Sequence, residues 1–391
     1  MTELFSANKK RVGLKHSSKK YFYLIIGLAL IILVDSGQAG QKLGRNFSPQ
    51  RPPQAGQARA KKVIIGYYPS EKRAVVDYRQ IEFDYLTHLA EAFAWPDREG
   101  NLIVNPDFIY PELLTAAHQK GVKVIMSLGG WGNCAGFPPM AASAEKRSRF
   151  ISQVLDFCLL HGYDGVDLDW EFVSNEQEKD SFSALVKELN AVLKAQSPPL
   201  LLTMAAPAGP YWGRWINFEE LHPYFDFISF MTYDYHGPWT DHAGHNSPLY
   251  TCLNDPCGSI DDTFSYALIR GIPLKKILLG IPFYGRSFEA AGLYKSAANS
   301  QYYVYSEIKK LMASGWKYNW DNCAEVPYLL SPSKKTLLSF DDKRSIQKKG
   351  QYLLEKKVAG FIIWEITGDV VNGWPELLPV VYQSINYQGE R

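Results

Sequence analysis

Cysteine is scarce in this chain, with five residues in 391, and they are too widely spread for a disulfide-stapled miniprotein. The strongest apolar run, Tyr21–Val34, falls short of the roughly 20 residues a spanning helix needs. From Lys62 onward there is no low-complexity segment and no repeat of fixed period, which removes fibres and solenoids. No Gly-x-Gly-x-x-Gly follows the first apolar run of the body, so the dinucleotide cradle of a doubly wound sheet is missing. Excess charge is missing too. The net is +2, but residues 1–62 hold twelve Lys/Arg against two acids, leaving 30 basic and 38 acidic side chains in the rest. A body that acidic makes a poor nucleic-acid surface.

Aromatic side chains are plentiful, with 24 Tyr, 20 Phe and 10 Trp. Flat rings suit a ligand with flat, weakly polar faces, and they also fill large cores. The basic residues gather at the amino end, where Lys9 to Lys20 precede the apolar run and Gly37 and Ala39 follow it. That order reads as a secretory signal over residues 1–39, cleaved before Gly40. The alternative is an uncleaved anchor at the outer membrane face. Residues 40–62, rich in Gln, Pro, Arg and Gly, read as a flexible linker. Export makes disulfides available, and Cys252 and Cys257 flank a turn-like Leu-Asn-Asp-Pro suited to a local bridge. Cys158, on an apolar helical face, reads as a buried thiol. His236, His242 and His245 are near one another in sequence but have no carboxylate or Cys at ligand spacing, so no metal site is expected.

Eight short apolar runs punctuate the body: Val63–Tyr67, Leu89–Ala94, Val122–Leu128, Gly165–Asp169, Leu200–Ala205, Phe227–Met231, Ile277–Pro282 and Gly360–Trp364. Amphipathic stretches such as Pro111–Lys120, Ala144–Leu160 and Asp180–Ala195 lie between them. Strand and helix alternating eight times predicts a parallel (β/α)8 TIM barrel over residues 63–385, because parallel strands need helical crossovers. The runs start 26 to 50 residues apart until the last pair, where the interval is 83. One β/α unit takes about 30 to 40 residues, so the surplus predicts a small α+β insertion subdomain, residues 288–339, after strand 7.

In such a barrel the chemistry lies at the carboxyl ends of the strands. The fourth run carries Asp167, Asp169 and Glu171 at alternate positions, all on one face, about 7 Å apart. Like charges so close on a buried strand cannot all ionise, and a carboxyl kept protonated near neutrality is what a general acid needs. A solvated negative face and a divalent-cation site are the competing readings of the three acids alone.

Asp164–Glu171 (DGVDLDWE) matches the D-x-x-D-x-D-x-E signature of glycoside hydrolase family 18, the chitinases. Met126–Trp131 (MSLGGW) resembles the family's S-x-G-G motif. Phe230–Gly237 (FMTYDYHG), Gly280–Arg286 (GIPFYGR) and Gly360–Glu365 (GFIIWE) follow in family order. The insert, with Trp320, Tyr328 and Asp341 in its motifs, is similar to the family's chitinase insertion domain. The resemblance runs from about Val63 to Trp374.

The resemblance implies a substrate-assisted mechanism in which the 2-acetamido oxygen of the sugar attacks its own anomeric carbon, with net retention. Glu171 would be the acid and base, Asp169 would orient the acetamido group, and Asp167 would share a proton with Asp169. Asp164 would steady the entry to the strand. Tyr233 would hydrogen-bond the acetamido oxygen, Met231 would pack beneath the acetamido methyl, and Asp234 would bind the distorted sugar. Trp364 would be the floor under the reacting sugar, with Tyr67 and Ser127 as partners of the aspartates. Tyr284 and Arg286 would reach sugar hydroxyls, and Trp131 and Trp239 would stack sugars further out. Phe93 would line a subsite or the core, Phe172 would bind substrate, and Gly129 and Gly130 would contact ligand or serve tight turns. No cofactor is implied. The expected partner is chitin or its oligosaccharides, with no nucleic acid, and with a membrane only if the amino-terminal segment stays uncleaved. A secreted monomer is expected. Peptidoglycan or N-glycan is the alternative substrate, and a non-catalytic lectin the alternative class, against which the glutamate at 171 argues.

Overall fold

The computed structural model describes residues 62–252 and 255–386. The expected signal segment and most of the linker lie outside the described residues. Eight parallel strands form the centre: β1 (Val63–Pro69), β2 (His88–Pro96), β3 (Lys123–Gly129), β4 (Gly165–Asp169), β5 (Leu201–Ala206), β6 (Phe227–Phe230), β7 (Ile277–Pro282) and β8 (Gly360–Trp364). β8 returns to pair with β1, placing Gly360 opposite Val63, and β1 pairs with β2, so the sheet closes. The (β/α)8 barrel read from the alternation is the observed architecture.

Alternation along the strands divides the core in two. Ile65, Ile125, Leu278 and Ile362 pack inside the barrel, while Val124, Met126, Val166, Leu168, Leu202 and Ile228 face the helices. The helix Ala144–His161 begins where the Ser143 side chain accepts the Lys146 N–H and ends at Gly162, whose φ of 83° a side chain would resist. It lays Phe150, Ile151, Val154 and Cys158 on the barrel. The next helix starts at Glu176, capped by Asn175, four residues before the apolar periodicity at Asp180 becomes visible. No helix among the described residues is long and apolar enough to cross a membrane.

Between β7 and β8 the chain forms an antiparallel five-stranded sheet and the helix Tyr305–Ala313. Its first strand, Tyr284–Ala290, follows β7 after Phe283 alone, so the extra sheet opens four residues earlier than the length surplus suggests. Tyr284 and Arg286 therefore belong to this sheet and not to the barrel.

The local Cys252–Cys257 bridge is not formed. Cys252 pairs with Cys323, 71 residues on, at a Cα separation of 5.9 Å. The Leu249 N–H donates to the Ala324 carbonyl at 2.9 Å, which docks the two segments side by side and brings the distant thiol closer than the local one. Cys158 is a buried free thiol, as its helical face suggests.

Candidate active site

Register builds the base of the site. On β4, Asp167 stands level with Ser127 of β3 and Thr203 of β5. Residues at one level of a parallel barrel point the same way, so both hydroxyls fall against the Asp167 carboxylate. Ser127 Oγ donates to Oδ2 at 2.9 Å, Tyr67 Oη donates to Oδ2 at 2.8 Å, and Thr203 Oγ1 donates to Oδ1 at 2.6 Å. Burial raises the pKa of this carboxyl even so, the three hydroxyls offsetting only part of the desolvation.

Asp169, two residues higher, has no such support. Its Oδ1 is buried without a hydrogen-bond partner. Burial, then the charges of Glu171 and Asp167, lift its pKa well above the carboxylate range. Glu171 lies just past the strand, partly open to the barrel mouth. Burial and the nearby Asp234 charge push its carboxyl up to about 7, against a smaller opposing effect from the Trp131 backbone N–H. Asp164, at the other end of β4, accepts the Val124 N–H at 2.7 Å and sits 2.8 Å from His118 Nε2, pinning the entry to the strand.

The loop after β6 brings Tyr233 and Asp234 to the same mouth. β6 ends at Phe230, one residue before the apolar run suggests, so Met231 and Tyr233 lie beyond the strand. Tyr233 leans over β7, where a Cβ on Gly280 would come within 2.6 Å of its ring, so only glycine leaves it room there. Burial, then the Asp169 and Glu171 charges, raise its phenol pKa, so it stays protonated and able to donate. Asp234 takes both Arg286 nitrogens, Nε and Nη2, each at 2.8 Å. The guanidinium lies 5.3 Å from the Trp239 ring and 5.6 Å from those of Tyr284 and Tyr302.

Aromatic rings line the remaining surface. Trp364 is parallel-stacked on Phe93 at 5.6 Å and meets Tyr67 at 5.8 Å, among side chains of the barrel interior. Phe172 stacks on Trp212 at 5.2 Å. Trp131 and Trp239 are 76% and 56% exposed, which is unusual for rings of their size. Non-proline cis peptides occur at Ala92–Phe93, Glu171–Phe172 and Trp364–Glu365. Gly129 and Gly130 both have positive φ, and a Cβ on them would strike the Asp169 carbonyl at 2.2 Å and the Phe93 ring at 2.5 Å. Both serve the backbone turn and its packing.

Four residues at this mouth escaped the sequence reading. Thr203 had a usable signal, since it is the third residue of β5 as Asp167 is of β4. Trp212, Tyr302 and Cys134 had none. Cys134 lies under the acid, its Sγ accepting the Glu171 N–H at 3.2 Å. Tyr302, from the inserted sheet, stacks on Tyr284 at 4.5 Å. His245, for its part, leaves the other histidines and sits 3.0 Å from Ser339 Oγ and 3.2 Å from Asp321 Oδ2.

A closed barrel with a row of buried, unpaired carboxylates at the carboxyl end of β4 and an aromatic-lined mouth is the architecture of a glycosidase. Residues 63–369 match the model of the glycosyl hydrolases family 18, and the chain belongs to that family. It is 29% identical over 359 residues to Chitinase 1 of Aphanocladium album, covering 88% of this chain and 83% of that protein. Identity to a probable endochitinase of Caenorhabditis elegans is 33% over 276 residues, or 64% of this chain and 44% of that one, so this chain spans less than half of the nematode protein. The solved Group IV chitinase of Ostrinia furnacalis, in complex with allosamidin, superposes with a TM-score of 0.77 at 27% identity, over 83% of this chain and 98% of that one.

Proposed function

We propose that this chain is an exported chitinase that hydrolyses β-1,4 links between N-acetylglucosamine units with retention of anomeric configuration. The observation that carries the reading is the unpaired ladder Asp167, Asp169 and Glu171, whose outermost carboxyl is held near neutrality at the open end. In the first step the Glu171 proton passes to the glycosidic oxygen as the bond from that oxygen to the anomeric carbon breaks. The substrate's own acetamido oxygen closes on the anomeric carbon from the opposite face, giving an oxazolinium ion. Asp169 faces the positive charge that develops on the acetamido nitrogen, and Asp167, held by Tyr67, Ser127 and Thr203, keeps Asp169 in place. In the second step water attacks the anomeric carbon, Glu171 takes its proton, and the ring opens back to the acetamide. Two inversions at one carbon retain its configuration.

Tyr233 donates to the acetamido oxygen, and Met231 lies below the acetamido methyl. Trp364 supports the reacting sugar, Asp234 and Arg286 take hydroxyls beside it, and Trp131, Trp239 and Phe172 carry sugars further along. The charged, apolar and small-residue order of residues 9–39 supports export.

The test is hydrolysis of a chitin oligosaccharide by the full chain beside its Glu171→Gln variant, with the product anomer followed by NMR. Cleavage with retention in the wild type, lost in the variant, is expected. An oligosaccharide bound but left whole by the wild type would reject the reading in favour of a lectin.

A further inference from the structure

We propose that His236, His242, Asp255 and Cys257 form a binding site for a single zinc-type divalent cation, which clamps the loop after β6. One ligand atom from each of the four lies within 4.8 Å of the other three. His236 Nε2 is 3.2 Å from His242 Nε2 and 3.0 Å from Asp255 Oδ1. His242 Nε2 is 3.6 Å from the same oxygen and 3.9 Å from Cys257 Sγ. In a tetrahedral zinc site, bonds of about 2.0–2.3 Å set neighbouring donors roughly 3.3–3.6 Å apart. The four donors need only small adjustments to meet that geometry.

The tautomers point the same way. His236 Nδ1 faces the His245 carbonyl oxygen at 2.9 Å, which can only accept, so Nδ1 carries the ring hydrogen. His242 Nδ1 faces the Asp241 carboxylate at 2.8 Å and carries its hydrogen for the same reason. In the neutral rings both Nε2 atoms then present lone pairs to each other and to the Asp255 oxygen. Three acceptors converge on a point that either a metal ion or a proton on His236 Nε2 has to fill. An outer oxygen that fixes the imidazole and leaves Nε2 free is also the arrangement that orients histidine ligands at metals. His236 is fully buried, Asp255 is nearly so, and among the described residues the only ion pairs of Asp255 are with these two imidazoles. Gly244 lies against the His236 ring, where a Cβ would come within 2.2 Å of Nε2, so the ring is boxed in. Cys257 takes part in no disulfide.

Two nitrogens, a thiolate and a carboxylate favour zinc over magnesium or calcium. Four protein ligands leave no open position, which makes the role structural. His236 follows Asp234 by two residues, and His242 closes the loop that carries Trp239. The other two ligands sit in the turn that precedes the helix Ile260–Ile269, near the half-bridge Cys252. The ion would join the active-site loop to the segment that the disulfide ties to the inserted sheet.

The test uses the full chain without a purification tag, stripped with chelator and titrated with Zn2+ and Co2+. One zinc per chain by elemental analysis is expected, with a rise in Tm that chelator reverses. Cobalt should give a thiolate charge-transfer band and the strong visible bands of four-coordination. Cys257→Ser should remove the charge-transfer band, and His242→Ala should weaken zinc binding by at least about a hundredfold. Asp255→Asn, checked for folding by circular dichroism, serves if His242→Ala does not fold, and should weaken binding likewise. His118→Ala, outside the cluster, should leave zinc stoichiometry and affinity unaltered. Less than stoichiometric zinc, binding unaltered by the cluster variants, cobalt without a thiolate band, or Cys257 recovered in a disulfide would each overturn the site. A proton shared between His236 and Asp255 would then account for the geometry.

Discussion

Along β4 and just past its end three carboxylates are stacked with no ion pair to any of them among the described residues, whereas on the loop after β6 Asp234 is held by both arms of Arg286. The two arrangements share one barrel mouth and use the same functional group. Burial without a counter-ion raises Asp169 and Glu171 toward protonation, so those groups can exchange a proton near neutrality. A bidentate guanidinium gives Asp234 a set orientation instead. Unpaired carboxylates suit proton transfer, and paired ones suit positioning.

The hardest blow to this contrast is to remove the titrating group. Glu171→Gln should lower kcat by about a thousandfold while binding of a chitin oligosaccharide, measured by calorimetry, stays within a few-fold. Equal losses in binding and turnover would break the division between the two walls.

Cys323→Ser tests whether the inserted sheet is held to the turn before the helix Ile260–Ile269. Opening a bridge that spans 71 residues should cost about 2–4 kcal/mol, seen as a lower Tm.

Two substitutions sharpen the comparison by exchanging pairing states. Asp234→Asn removes the charge that helps lift Glu171 and leaves Arg286 beside the site, so the alkaline limb of kcat/KM should move below pH 7. Arg286→Ala leaves Asp234 unpaired and should move the same limb upward. Each shift is expected to be up to about one pH unit, with opposite signs. In the proposed mechanism the acid form of Glu171 is the active one, so activity is expected to fall as pH rises through about 7, the pKa to which its carboxyl is pushed.

The smallest effect on turnover is expected at a buried acid with no part in the proposed chemistry. Glu91, on β2 among the helix-facing side chains, accepts Tyr163 Oη at 2.7 Å and has a pKa pushed up by burial to about 8. Its folded-state pKa is above the unfolded value of 4.5, so stability fully present at acid pH is lost progressively as pH rises from 4.5 to about 8. Glu91→Gln should remove that loss, gaining up to about 3 kcal/mol at pH 7 and nothing below pH 4, with kcat unchanged. Denaturant melts across pH measure it.

Much of this site was readable along the chain. β7 and β8 begin and end where the apolar runs do, because strands buried on both faces leave an unbroken apolar record, and β4 keeps its expected bounds although Asp167 and Asp169 interrupt it. The ladder was visible for a simpler reason, since alternation puts residues two apart on one face whatever the rest of the fold does. Thr203 was harder to see, as its role depends on the register between two strands. Cys134, Trp212 and Tyr302 were hidden because they approach from segments whose own sequence carries no sign of the site.

The cysteines and histidines mark the limit most clearly. Cys257 is five residues from Cys252, yet it faces His242, while Cys252 bonds to Cys323. His236 and His242 stood out as neighbours, but Asp255 and Cys257 follow 13 or more residues later, and His245 turns away to Asp321. Barrel class, strand order and the acids of β4 follow from local periodicity, which each segment carries within itself. Disulfide partner, metal-ligand set and the pairing of Asp234 follow from which loops share a few ångströms of space, and that is set only when the barrel closes and the inserted sheet docks beside it.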